Sequence, residues 1–83
     1  MSNFIFRNKD NIENVLLNNL GTDLILYTSN DVIKFFQNGD NLTVNTKTGE
    51  VEYDPICPGS FITSRISLRI HQWLAKGIIK VIN

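Results

Sequence analysis

Asp31-Val32-Ile33-Lys34-Phe35-Phe36-Gln37-Asn38-Gly39-Asp40-Asn41-Leu42-Thr43-Val44-Asn45 is the stretch on which the fold turns. Its middle, Gln37 to Asn41, is the strongest turn signal in the chain, because Asn and Gly accept the backbone angles of a tight reversal. The β-branched and aromatic residues on either side predict strands that enter and leave it. Upstream, Asp23 to Ser29 is another β-type run, separated from Asp31 to Phe36 by Ser29-Asn30-Asp31, so the two runs are expected to be neighbours. Downstream, Leu42 to Asn45 and Glu50 to Tyr53 alternate with period two around Thr46-Lys47-Thr48-Gly49. That predicts a hairpin with Leu42, Val44, Val51 and Tyr53 on its apolar face and a polar opposite face.

Farther out, the pattern changes period. Asn3 to Arg7 reads as a short strand. Asp10 and Glu13 then form a capping-box pattern ahead of Ile12, Val15, Leu16 and Leu20, which recur at helical spacing until Gly21. Asp54-Pro55-Ile56-Cys57-Pro58-Gly59 predicts a connecting loop, since its two prolines remove ladder donors. Ser60 or Thr63 can cap a second helix running to about Lys76, and Gly77 precedes a β-branched strand, Ile78 to Ile82. The expected order is βαββββαβ. It implies one α+β domain over residues 1–83, with a small antiparallel or mixed β-sheet and two short helices.

Length and composition bound the rest. Eighty-three residues support a single domain with an expected stability of about 4–12 kcal/mol. A composition 42% hydrophobic and 19% charged fits a soluble globular chain, being too apolar for disorder and too poor in long apolar runs for a membrane span. The segment Met1 to Arg7 lacks the basic start and apolar run of a signal peptide, so the protein is expected not to be secreted. The single cysteine, Cys57, provides neither an internal disulfide nor a Cys-based metal site. Eleven asparagines and eleven isoleucines suggest an AT-rich gene, and that bias devalues the acceptor-like Asn41-Leu42-Thr43.

Eight basic and eight acidic residues cancel, removing the bulk positive charge of a nucleic-acid binder. They are nevertheless segregated: every acid lies between Asp10 and Asp54, whereas Arg65, Arg69, Lys76 and Lys80 occupy an acid-free C-terminal region. On the second helix, Arg65, Arg69, Gln72 and Lys76 form a polar stripe beside an apolar arc of Ile66, Ile70, Trp73 and Leu74. The stripe is a candidate docking face for phosphates or an acidic protein surface. A solvated face paired with the protein's own acidic segment is the plainer reading.

Cys57 and His71 are the only pair from which a thiol nucleophile and base could be assembled, and neither has an identifiable third group. Glu50 and Glu52 share one strand face, where solvation is the ordinary state of such a pair. With no phosphate-loop, dinucleotide, zinc-protease or EF-hand pattern, the expectation is no enzyme, no cofactor and no metal site.

The middle strands carry large apolar groups on both faces. Alternation places Leu24, Leu26, Val32 and Phe36 against Ile25, Tyr27, Ile33 and Phe35. Two helices can cover both faces, or one face can be completed by another chain, in which case Ile33 and Phe35 are candidate partner contacts.

Pro58-Gly59-Ser60-Phe61-Ile62, a helix ending Trp73-Leu74-Ala75-Lys76-Gly77, and Ile78 to Ile82 together resemble a closing module of small tailed-bacteriophage proteins. The resemblance spans about the last 25 residues and implies a non-enzymatic structural or accessory protein, such as a capsid auxiliary, head-to-tail connector or tail component. It would be made in the host cytoplasm, be incorporated in the virion, and work through protein contacts or self-association. Alternatives are a soluble inhibitor or modulator of a host protein and, less favoured, a small nucleic-acid-binding regulator.

Overall fold

The structure, a computed structural model, describes residues 2–59 and 61–82. Its elements are β1 (Ser2–Phe6), α1 (Ile12–Leu20), a 3₁₀ turn (Thr22–Leu24), β2 (Ile25–Ser29), β3 (Val32–Gln37), β4 (Asp40–Asn45), β5 (Glu50–Asp54), α2 (Arg65–Ala75) and β6 (Ile79–Val81). They form an α+β fold of order βαββββαβ, whose six strands make one antiparallel sheet in the spatial order β2-β3-β4-β5-β1-β6. The Asn38-Gly39 signal is a two-residue hairpin loop: Gln37 pairs with Asp40 across it, and both loop residues have positive φ, 52° and 89°. A Cβ at Gly39 would also collide with the Ile56 side chain.

Strand register sorts the side chains into two faces. Ile33, Val44, Val51 and Phe4 form one row across four strands, and Ile25, Phe35, Leu42 and Tyr53 form the next. Both rows face the helices. Ile12, Leu16 and Leu20 of α1 and Ile66, Ile70 and Trp73 of α2 pack onto them in a single core. Trp73 sits against Phe6 with ring centroids 5.6 Å apart at a tilted 54°.

Four expectations are corrected. Both helices cover the same sheet face, so neither screens the other. Ile33 and Phe35 are core residues, Phe35 having no exposed surface, and neither lies on a docking surface. A register shift between Ile25 and Tyr27 breaks the alternation of β2, leaving Leu26 exposed and bringing Tyr27 opposite Lys34 on the uncovered face, away from Ile33 and Phe35. Leu74 leaves the apolar arc and is 37% exposed.

The helix starts also differ. At α1 the N-cap position is Asn11, in a left-handed conformation with no side-chain cap, and the Asp10 N–H donates to Asn8 Oδ1 instead. The N-cap of α2 is Ser64, which forms a reciprocal capping box with Ser67. Thr63 uses its hydroxyl elsewhere, and Ser60 lies outside the described residues.

Trp73→Ala is expected to cost about 3–5 kcal/mol through loss of packing and a cavity, enough to unfold much of a chain this small. A thermal midpoint within a degree or two of the parent's would contradict a core role. Phe35→Glu is expected to abolish cooperative unfolding followed by circular dichroism, because it buries an unpaired carboxylate; a folded variant would place that face in solvent.

Candidate functional site

Three places gather chemistry-bearing side chains, and burial separates them. The first is Asp40, the opening residue of β4, whose side chain is wholly buried. Its Oδ1 accepts the Ile56 N–H at 2.8 Å, while Oδ2 accepts the hydroxyls of Thr63, at 2.6 Å, and Ser64. Burial pushes the Asp40 pKa up, but the hydrogen bonds from Ser64, Thr63 and Ile56 outweigh it and hold the group below the ordinary carboxylate value. The anion therefore lies at the N-cap of α2, where the helix dipole favours negative charge and where the helix has no acid of its own in its first turn. Beside it, burial and the Asp40 charge push the Tyr53 phenol up to about 12, against an opposing hydrogen bond with Ser67. With the Asp40 carboxylate buried and all its contacts made within the chain, this cluster anchors the loop after β5 to the start of α2.

The second place is the stripe on α2. Arg65 Nη1 donates to the Leu20 carbonyl at 2.7 Å, and Arg69 Nε donates to the Asn19 carbonyl at 3.0 Å. Those carbonyls belong to the last turn of α1, which carries no basic residue, so α2 supplies both the missing donors and the favourable positive charge. Arg65 also pairs with exposed Asp23 at 3.2 Å, and hydrogen bonding to that guanidinium holds the Asp23 carboxyl below its usual value. Arg69 Nη1 donates to Gln72 Oε1 at 2.7 Å. Two of the three stripe cations thus join helix to helix through backbone carbonyls, which neither sequence reading expects; only the Arg65–Asp23 pair matches the plainer one, and Lys76 remains exposed.

The third place is the sheet face opposite the helices. Tyr27, Lys34, Thr43, Glu52 and Asn3 form one row across five strands. Phe36 and Tyr27 are 45% and 48% exposed there, and Glu50, Glu52 and Asp54 project from β5. A shallow depression of about 320 Å³ runs over this face between Val32, Thr43, Asn45, Glu52 and Ile82. At one end of the molecule the loop after β5 adds exposed Ile56, Phe61 and Ile62; Phe61 is 69% exposed. Asn38 Nδ2 fixes that loop to the β3–β4 turn through the Thr63 carbonyl, at 3.1 Å.

Cys57 is exposed and unbridged, and the His71 Nδ1–H donates to the Ser67 carbonyl at 2.6 Å. No group of three or more His, Cys, Asp or Glu is placed to hold a metal among the described residues, and no helix there is long and apolar enough to cross a membrane. Comparison with protein-family models, curated proteins and solved structures found no match.

Asp40→Asn is expected to destabilise the fold by about 2–3 kcal/mol near neutrality, roughly the value of a hydrogen bond to a charged group. Because the native pKa is lowered, the stabilisation is fully present above the unfolded value of about 3.9 and disappears as pH falls through the native one. Chemical denaturation should therefore show a parent-to-variant difference that is constant above about pH 5 and shrinks below about pH 4. A difference that grows in acid would mean that Asp40 is buried as the neutral acid.

Proposed function

We propose that this protein is a non-enzymatic subunit acting through protein–protein contacts, of the kind its C-terminal module resembles: a small structural or accessory protein of a tailed bacteriophage. A capsid auxiliary, a head-to-tail connector and a tail component all fit that description. The observation that carries the reading is the one-sided use of the sheet. Both helices are spent on one face, leaving an opposite face that exposes Tyr27 and Phe36 among polar groups, with Ile56, Phe61 and Ile62 on a loop at one end. Exposed aromatic and aliphatic side chains rimmed by polar ones suit protein docking. The reactive groups support the same reading, since the buried carboxylate is consumed by structural donors and the two helix arginines by carbonyls.

A second reading draws on the carboxylates of β5. Glu50, Glu52 and Asp54 are all exposed along one strand, and such a line suits a basic surface on a host protein that the molecule would inhibit or modulate.

Quantitative mass spectrometry of particles purified from the source culture separates the two. The structural reading expects this chain at a fixed copy number per particle. Recovery from the soluble lysate alone, with none in the particles, would refute it in favour of the modulator.

A further inference from the structure

We infer that the central row of the uncovered sheet face is self-complementary in charge and takes a second copy of this chain, related by a two-fold axis running along β4. The inference rests on the protein-docking reading above and names its partner. It starts from the row Tyr27, Lys34, Thr43, Glu52, Asn3, whose members are fixed opposite one another by the antiparallel register. Thr43 is the middle of the row. Strands lie about 4.8 Å apart, so Lys34 and Glu52 stand at equal distances on either side of it and about 10 Å from each other. No ion pair joins them within the chain among the described residues.

Turning one copy over about an axis along β4 exchanges the two sides of the row. Lys34 then faces Glu52 of the second copy, Glu52 faces its Lys34, Thr43 meets Thr43, and each Tyr27 lies over an Asn3. Every charge in the row meets its opposite, which is the requirement for an isologous contact. The net charge of zero adds no long-range repulsion between copies. The next row of the same face is Phe36, Asn41 and Asp54, about 7 Å away along the strands, where the same axis lays Asp54 of one copy over Phe36 of the other, so the charge match is carried by the central row. About that axis five strands of roughly five residues overlap, β2 to β1, with β6 left beyond the edge; the footprint is roughly 400 Å² per copy, or about 800 Å² in total, the size of a weak, transient contact. The expected dimer is weak and concentration-dependent.

Sedimentation velocity of the parent and of charge variants tests the register directly. Lys34→Glu and Glu52→Lys each place like charges opposite one another and are expected to raise the dimer dissociation constant at least about tenfold. The double variant restores association. So does an equimolar mixture of the two single variants, because an acid at position 34 and the native Glu52 of one copy then meet bases on the other. Zero-length carbodiimide cross-linking of mixed ¹⁴N and ¹⁵N parent needs no substitution and should join Lys34 of one isotope to Glu52 of the other. Three results overturn the inference: a parent monomeric to millimolar concentration, a dimer unmoved by either single variant, or Lys34–Glu52 links confined to one isotope. A monomeric parent that is nevertheless present in particles removes the dimer and leaves the docking reading standing. A dimer with the expected charge behaviour that is absent from particles sustains the dimer and removes the phage-subunit reading.

Discussion

A carboxylate buried without a cation stays charged only where hydrogen-bond donors converge on it, and much of this molecule is arranged around that requirement at Asp40. The donors come from both ends of one connection: the Ile56 N–H at its start, the Thr63 and Ser64 hydroxyls at its finish. Meeting the requirement pulls the loop after β5 across the end of the sheet and sets the N-terminus of α2 over β4. Gln37 reinforces the attachment by accepting the Arg65 N–H at 2.7 Å, and the β3–β4 turn closes it through Asn38. Once α2 is placed, Arg65 and Arg69 reach the carbonyl end of α1. Each helix thus receives at one end the charge that its own sequence omits.

The division of the sheet follows from that geometry. With α1 and α2 held to each other and to the same side, the rows containing Phe35 and Val44 are sealed, and the row containing Lys34 and Thr43 is left to solvent. Adjacent residues on one strand therefore have unrelated roles. Phe35 is core packing, whereas Phe36 is open to solvent.

Local signals in the sequence are legible because they depend on local physics. Asn38-Gly39 specifies its hairpin through allowed backbone angles, and Leu42, Val44, Val51 and Tyr53 specify the buried face through the two-residue period. The element order and Trp73's place in the core follow in the same way. The misreadings concern what lies far apart in sequence. Asp40 reads as a turn residue because its three donors are 16 to 24 positions away. Arg65 and Arg69 read as an open stripe because the carbonyls they serve are 45 and 50 positions away. Strict alternation puts Tyr27 on the wrong face because one irregular residue reverses every later side chain on its strand, and nothing in Leu26 announces the shift. The placement of both helices on one side is a tertiary choice that alternation in β3 leaves open.

Residue-resolved hydroxyl-radical footprinting in dilute solution measures the division between sealed and open faces most directly, since Phe35 and Phe36 serve as neighbours with opposite environments. Phe36 and Tyr27 should be oxidised readily, while Phe35, Phe6 and Trp73 remain protected until the protein unfolds. Comparable oxidation of Phe35 and Phe36, or protection of Tyr27 and Phe36 to the level of Trp73, would contradict a fold with both helices on one side.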